Sequence, residues 1–424
     1  MIASKRLSRA VPTLVLCLAA LPLGAQAPAK AQAPVQETRP KVRAITAFVR
    51  IDREHSNGQL FDAVGMLRRA RASFQKDGWE VETIRVTTQP FPEYLVGLTP
   101  ERAVAFFVGL DALADKEGFM LAIGPAMSLD EDDPQAMDLL GEVLCKTKHV
   151  NATALIASRS GIHWKAIRTT ARMIKHVQDK SPDSQGNFGF TAAAMMPEYA
   201  PFYPASYHTG LGHTFSVGLE GANLVDQAFA GAAGDPGAAS ARLKELLAKY
   251  TSLAERSAQV FSQASGWEYL GIDPTPAPLK EVSIGAAIER FTGKPFGSSG
   301  TLSAARLITD AVKAVTAKKV GYSGLMLPVL EDSRIAQRWS EGAVHIDSLL
   351  AYSSVCATGL DTVPLPGSVS EEQLARILGD VASLAYTWKK PLTARLLPVK
   401  GGSPGQRSQF KASALENAIL QPLP

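Results

Sequence analysis

Hydrophobic and polar residues alternate in blocks along most of the chain, and the blocks predict strands followed by helices. Residues 42–51 form a mostly apolar, β-rich run, typical of a strand buried on both faces. In residues 60–75, Leu60, Val64 and Leu67 recur on one side at helical spacing. Strands are predicted at 42–51, 81–87, 119–123, 152–157, 188–195, 213–219, 267–272, 322–327, 349–356 and 392–399.

Capping residues support the helices predicted between these strands. Thr99, Pro100 and Glu101 are each favourable at a helix N-terminus, and Ser370 with Gln373 forms a capping box. Strands that alternate with helices predict an α/β protein with a parallel or mixed sheet. With about ten strands, closure into a β/α barrel is favoured because it removes exposed edges, and an open doubly wound sheet is the alternative.

The N-terminus has the three-part form of a secretory signal. Lys5, Arg6 and Arg9 supply positive charge, an apolar run follows at 11–23, and small residues then offer cleavage sites. The apolar run is too short to span a bilayer, so no membrane partner is expected after cleavage. The predicted organisation is a signal peptide at 1–31, a disordered leader at 32–40, a barrel domain at 41–400 and a C-terminal extension at 401–424. The mature protein is expected to be periplasmic or secreted.

Charge and cysteine content restrict the partners. Loss of Lys5, Arg6 and Arg9, with Lys30 as a fourth, lowers the formal charge from +4 to between +1 and 0. A near-neutral mature chain gives no electrostatic basis for binding nucleic acid, so the expected partner is a small-molecule ligand, and a homo-oligomer stays open. Cys145 and Cys356 remain after cleavage, and the sequence does not place them within disulfide distance.

Residues 355–367 are the first candidate site. Gly and Pro residues fix the backbone of a segment that carries Cys356, Thr358 and Asp361, which predicts a rim at the end of an interior strand. Cys356 is a candidate nucleophile, and Asp361 could orient a histidine or bind a metal or a substrate hydroxyl. The alternative is a buried cysteine that packs as a small hydrophobe, with Asp361 capping a turn.

The loop at 201–210 and the strand after it form the second candidate. Tyr207 would contact substrate, His208 would act as acid or base, and Glu220 would orient substrate. His208, His213 and Glu220 could instead bind a divalent metal, although their spacing lacks the specificity of a histidine pair one helical turn apart. A histidine satisfied in the core or in a turn is the alternative for each.

Two further loops supply candidate ligand contacts. Ser298 lies in the Gly-rich segment 293–301 before a helix, where backbone amides can hold an anion. The order of residues there is not that of a nucleotide-binding P-loop. Asp332 follows the predicted strand 322–327, where parallel α/β proteins place their sites, although it could equally begin a helix.

Several segments together resemble one family. They are residues 44–49, 88–92, 186–188, 218–220, 283–289 and 321–332, with 355–367 the most distinctive. In this order they are similar to the domain-of-unknown-function family 711 (DUF711), which includes uncharacterised UPF0210-like proteins. The resemblance implies a single ten-stranded β/α barrel similar to that of glycyl radical enzymes, and no established reaction.

The resemblance does not extend to radical chemistry. The family lacks the radical machinery, and this chain has no Arg-Val-x-Gly-Tyr segment near its C-terminus and no adjacent cysteine pair. No glycyl radical is therefore expected. Most members are expected to be cytosolic, so the export signal is a departure from the family.

The leading hypothesis is a small-molecule enzyme of unknown reaction with its site at a barrel mouth. The competing hypothesis is a periplasmic solute-binding or sensing protein without turnover, and an oligomerisation scaffold is a third. The enzyme hypothesis requires His208, Glu220 and Cys356 to lie close enough to reach one bound molecule. The full set is His208, Cys356, Glu220 and Asp361 as catalytic candidates, with Tyr207, Ser298, Thr358 and Asp332 as substrate contacts.

Overall fold

Ten strands and eleven α-helices make up the described part of the chain, which comprises Met1 and residues 37–423 of a computed structural model. The strands are β1 (Lys41–Val49), β2 (Val81–Thr88), β3 (Met120–Pro125), β4 (Val150–Ser158), β5 (Gly161–Ile162), β6 (Phe190–Ala194), β7 (Thr214–Glu220), β8 (Glu268–Asp273), β9 (Gly359–Pro366) and β10 (Leu392–Val399). The helices are α1 (Ser56–Lys76), α2 (Pro100–Glu117), α3 (Gln135–Lys146), α4 (Trp164–Lys180), α5 (Ala222–Gly231), α6 (Pro236–Ser265), α7 (Ile284–Thr292), α8 (Thr301–Lys313), α9 (Ser333–Ser340), α10 (Ile346–Ser353) and α11 (Glu371–Trp388). Two 3₁₀ helices, Phe91–Tyr94 and Pro182–Gly189, complete the order.

All ten strands belong to one mixed sheet. Its order is β8-β7-β1-β2-β3-β4-β6-β10-β9, and β5 pairs only with β4. Strands β1, β2, β3, β4 and β6 run parallel, whereas the pairs β7–β8 and β10–β9 run in the opposite direction on either side of them. The predicted ten-stranded α/β architecture is therefore confirmed.

The sheet is not closed into a continuous ladder. Its edge strands β8 and β9 are connected through residues 318–330, which form single bridges at Ile272↔Lys319 and Pro328↔Asp361. The predicted strand at 322–327 is wrong because distant side chains take its backbone amides. Asp273 accepts from the amides of Tyr322 and Ser323, and Thr275 and Thr309 accept from those of Gly324 and Leu325.

The segment 346–366 also differs from the prediction. Residues predicted as a strand at 349–356 form α10 and the turn after it, and the predicted rim loop contains the whole of β9. A short apolar run does not distinguish a buried helix from a strand, which explains the first error. Pro364 and Pro366 suggested a loop, but β9 is an edge strand that pairs in a ladder only with β10, where proline is tolerated.

The capping predictions are confirmed. The Thr99 side chain accepts from the amide of Arg102 at the start of α2, and Ser370 and Gln373 form a capping box at the start of α11. On β1, Ile45 and Ala47 belong to the large apolar cluster that the helices complete, whereas Thr46 points to the other face of the sheet.

The loop 195–213, between β6 and β7, covers that other face. The Thr46 hydroxyl donates to the carbonyl of Pro201, and the Tyr203 hydroxyl donates to the carbonyl of Val86. A second, smaller apolar cluster joins this loop to the irregular segment 318–330 through Phe202 and Tyr322. The loop therefore covers this face of β1 and β2 and links it to the segment 318–330.

Two predictions about the chain ends fall partly outside the described residues. The signal peptide and most of the disordered leader lie in residues 2–36, which the structure does not describe. At the other end, residues 401–423 pack on α9, where the indole of Trp339 donates to the carbonyl of Ile419. Within residues 37–423 no helix is long and apolar enough to cross a membrane.

Candidate functional site

Six charged side chains are connected by ion pairs, and a seventh, Arg85, lies close enough to feel their charges; the seven are here called the charge cluster. All but Glu331 lie on strands, and each is buried or nearly so, although charged side chains are rarely buried unless they are paired. The charge cluster consists of Arg43 (β1), Glu82 and Arg85 (β2), Glu220 (β7), Glu331 (after the segment 318–330), Asp361 (β9) and Arg395 (β10).

Arg43 joins three carboxyl groups. Its Nη1 lies 3.0 Å from Glu82 Oε2 and 2.7 Å from Glu220 Oε2, and its Nη2 lies 3.8 Å from Glu331 Oε1. The pairing of β1 with β7 shifts register at this residue, and such a bulge re-aims a side chain relative to the regular alternation of a strand.

Arg395 joins the cluster on the other side. Its Nε donates to Asp361 Oδ1 at 2.7 Å, its Nη2 bonds the carboxylate of Glu331, and the ring of Phe188 lies 5.0 Å from its guanidinium carbon. Glu331 therefore connects Arg395 to Arg43. Asp361 and Thr362 together face Arg395 at a second bulge, where Thr362 has a φ of 47°, a strained value for a β-branched residue.

Glu82 and Glu220 form a carboxyl pair, because both accept from Nη1 of Arg43, at 3.0 Å and 2.7 Å. Burial raises the pKa of Glu220 to about 7, against the pull of Arg43. Burial also acts to raise the pKa of Glu82, but the neighbouring Glu220 and the charge of Arg43 outweigh burial and lower the pKa. The pKa values of the two carboxyls are therefore pushed apart, as expected when two acids occupy one site.

Arg85 differs from the other two arginines because no carboxylate in residues 37–423 lies within ion-pair distance of it. Its Nε donates to the Thr83 hydroxyl at 3.0 Å, and its Nη1 donates to the carbonyl of Pro201 at 3.3 Å. The ring of Tyr203 lies 4.9 Å from its guanidinium carbon. Burial, followed by the neighbouring charge of Arg43, lowers the pKa of Arg85 to about 10.

Water reaches the cluster from the end of the sheet at which β1 and β2 begin. The side chains of Arg43 and Glu82 are 15% and 16% exposed, whereas that of Glu220 is 4% exposed. At the opposite end the loop 195–213 covers the sheet, and His208 is fully buried there. The accessible mouth is therefore at the amino ends of β1 and β2, and not at their carboxyl ends.

The structure does not bring His208 and Glu220 together. The His208 Nε2 lies 2.9 Å from the carbonyl of Val49 at one end of β1, whereas Glu220 pairs with Lys41 at the other end. Eight residues of extended strand separate these ends, which corresponds to roughly 25 Å. Burial lowers the pKa of His208, and its Nδ1 has no partner among the described residues. The predicted shared site of His208 and Glu220 is therefore wrong.

The candidate metal ligands are also apart. His213 is exposed and stacks on Trp267 with ring centroids 4.2 Å apart, at the end of β7 opposite to Glu220. Within the part of the chain that the structure describes, no group of three or more His, Cys, Asp or Glu residues is arranged to hold a metal ion.

Cys356 and Thr358 lie outside the cluster and have structural contacts. Cys356 is buried, and both Cys356 and Cys145 are free thiols. The carbonyl of Cys356 accepts from the ammonium of Lys390. The Thr358 hydroxyl donates to the carbonyl of Leu325 at 3.0 Å. Asp361 is the residue of this segment that does join the charge cluster.

The remaining predicted contacts do not line the cluster either. The Tyr207 hydroxyl donates to the carbonyl of Met196 at 2.7 Å, within the loop 195–213. Ser298 lies in the turn before α8, half-buried. Asp332 is fully buried and caps α9 by accepting from the amides of Arg334 and Ile335, which is the helix-start alternative considered for it.

An open cleft of about 700 Å³ lies at the carboxyl ends of β1 and β2. Its charged side chains pair with one another: Arg50 with Glu93 at 2.5 Å, and His55 with Asp52 at 2.8 Å. These pairs are solvent-exposed and screened, so they lack the burial that distinguishes the charge cluster.

Sequence reasoning found Glu220 and Asp361 but missed most of their partners. Arg43, Arg85 and Arg395 each lie inside a run that was correctly predicted to be a strand. A charged residue within an otherwise buried strand was the available signal, because such a side chain needs a partner inside the fold.

Comparisons with known proteins identify a family and assign no reaction. The family model described as "Uncharacterised ACR (DUF711)" matches residues 34–411. A UPF0210 protein of Pyrobaculum aerophilum is 32% identical over 346 residues, 77% of this chain and 75% of its own length. One from Acetivibrio thermocellus is 27% identical over 404 residues, 89% of each chain. Among solved structures, the anaerobic ribonucleotide reductase from Thermotoga maritima in complex with dATP and CTP matches with a TM-score of 0.41 and 8% identity, over 89% of this chain and 79% of its own.

Proposed function

The chain belongs to the DUF711 family of uncharacterised proteins, and we propose that it is a small-molecule enzyme whose acid–base pair is Glu82 and Glu220. The observation that carries this proposal is the placement of these two carboxyls on one nitrogen of Arg43, in a group of side chains that water reaches. Pairs of acids whose environments separate their pKa values are typical of general acid–base sites.

The pair divides acid and base roles between two side chains. Burial raises the pKa of Glu220, whereas the pKa of Glu82 is lowered, so Glu220 keeps a proton to higher pH than Glu82 does. Glu220 would then donate a proton to the bound molecule, and Glu82, the more exposed of the two, would accept one. Arg43 contacts both carboxyls and would keep them in position as the proton moves.

The predicted roles of His208 and Cys356 are not part of this proposal. His208 is fully buried at the other end of β1, and Cys356 is buried beside α10. Asp361 remains, paired with Arg395, as a residue that shapes the cluster and does not reach its exposed mouth.

A test compares turnover of a metabolite extract by purified wild type, Glu82→Gln and Glu220→Gln, followed by mass spectrometry. At least one metabolite should be consumed by the wild type, and each variant should consume it about 10²–10⁴-fold more slowly, the typical contribution of a general acid or base. The matched control is Glu80→Gln, whose side chain is 65% exposed and pairs with Lys41, and it should retain full activity. Undiminished consumption by Glu220→Gln would remove this residue from the mechanism.

The second candidate function is binding of a small solute without turnover. It is favoured by Arg85, a buried cation with no paired carboxylate among the described residues, because binding needs such a group but no acid–base step. A metabolite that is retained by the wild type through dialysis, and recovered unchanged, would support binding over catalysis.

We also propose that the protein is exported. The support is the basic, apolar and small-residue order of residues 1–31. Cell fractionation and N-terminal sequencing of the expressed full chain should find a periplasmic or secreted product that begins near Gln26 or Gln32. A full-length product confined to the cytosol would contradict export.

A further inference from the structure

We propose that Arg85 is the recognition residue for a substrate or ligand that carries a single carboxylate group. This inference deepens the proposed function, because it rests on the same cluster and names the chemical class that the cluster would bind. It depends on three observations: the missing counter-charge of Arg85, the charge balance around it, and the free side of its guanidinium.

The first observation is that Arg85 is buried without a counter-charge in the described chain. Only 8% of the residue is exposed, and its hydrogen-bond acceptors are neutral, the Thr83 hydroxyl and the Pro201 carbonyl. Arg395, by contrast, bonds both Asp361 and Glu331. An unpaired buried charge is costly, so its presence indicates a partner that comes from solution.

The charge balance indicates a monoanion. The cluster has three arginines and four carboxyl groups, so every negative charge that a ligand brings beyond one meets no free cation there. Glu331 and Glu82 are the carboxylates whose charges act on Arg85. A dianion such as sulfate would place a second negative charge near these two carboxylates, whereas a carboxylate brings a single charge that pairs with Arg85.

The geometry favours a carboxylate for a further reason. Arg85 Nη2 makes no hydrogen bond within residues 37–423, and Nη1 makes only the 3.3 Å bond to Pro201. These two nitrogens form one edge of the planar guanidinium, which matches the two oxygens of a carboxylate in a bidentate pair. A lysine at the same position would keep the charge but lose this match.

The test is titration calorimetry of purified full-length protein at pH 6.5, with sodium acetate as the minimal carboxylate and sodium sulfate as the dianion. Both salts are compared with sodium chloride at the same ionic strength. The wild type should bind acetate at least tenfold more tightly than sulfate. Arg85→Gln should lose acetate binding, and Arg85→Lys should bind it at least tenfold more weakly than the wild type.

A second measurement separates recognition from a structural role. Without ligand, Arg85→Gln should unfold at a higher temperature than the wild type, because the variant no longer buries an unpaired charge. Lower unfolding temperature in Arg85→Gln, equal acetate binding by this variant, or sulfate binding as tight as acetate would each overturn the proposal.

The outcome is distinguishable from that of the proposed function. Glu220→Gln should keep acetate binding, because Gln resembles the protonated acid and leaves Arg85 unchanged. If Glu220→Gln retains turnover while Arg85→Gln loses acetate, the acid–base assignment fails and carboxylate recognition stands. If Glu220→Gln loses turnover while Arg85→Gln still binds acetate, the acid–base pair stands and Arg85 is not the recognition residue.

Discussion

Replacing Arg395 by methionine is expected to destabilise the protein by about 3–5 kcal/mol at pH 7, the cost of leaving buried charges without their partner. Arg395 is the only residue in the described chain that pairs with Asp361, and Glu331 would keep only the 3.8 Å contact with Arg43. Denaturant unfolding of wild type and variant measures the difference. The loss should be smaller at pH 5, because burial raises the pKa of Asp361 and the unpaired acid can then take up a proton.

Two further variants test this explanation. Arg376→Met removes an arginine that also pairs with a glutamate, Glu372, but both side chains are about 70% exposed, so the change should stay within about 0.5 kcal/mol. The double variant Asp361→Asn with Arg395→Met removes one unpaired carboxylate as well, and it should recover part of the loss. Equal losses for Arg376→Met and Arg395→Met would contradict a buried, mutually dependent cluster.

The sequence predicted those parts of the fold that depend on local pattern. Runs such as 42–51 and 392–399 are recognisable as strands because their apolar residues are contiguous. The helix caps at Thr99 and Ser370 are recognisable because each depends on a neighbour three residues away. The segment 322–327 has the same apolar pattern but is not a strand, because its amides bond side chains of Asp273 and Thr309. No local pattern contains these distant contacts.

The site was harder to predict for the same reason. Glu220 and Asp361 are recognisable as acids near strand ends, but their function depends on Arg43 and Arg395, which lie 177 and 34 residues away along the chain. The strand order decides which of these side chains meet. His208 was proposed as a catalytic residue because of its residue type alone. Because β7 runs antiparallel to β1, His208, which precedes β7, and Glu220, which ends it, lie at opposite ends of β1.

Glu220→Gln should make the protein more stable at pH 8, by about 1–3 kcal/mol, and leave its stability nearly unchanged at pH 5. The pKa of Glu220 rises from 4.5 to about 7 on folding, so the folded state holds a proton that the unfolded chain releases. The contribution of Glu220 to the free energy of unfolding of the wild type is therefore fully present below about pH 4.5, and it is lost as the pH rises to about 7. The lowered pKa of Glu82 acts in the opposite direction and reduces the net effect.

Denaturant unfolding of Glu220→Gln at pH 5 and pH 8 measures this dependence, with the exposed Glu80→Gln as the control that should show no difference between the two pH values. Glutamine has the shape of the protonated acid and can still donate to Glu82, so it removes the cost of ionising Glu220 at high pH. An equal loss of stability at both pH values would show that Glu220 is an ordinary ion-pair partner of Arg43. A variant that gains stability while it loses turnover is the outcome expected of a residue retained for chemistry, because functional sites commonly reduce the stability of the fold.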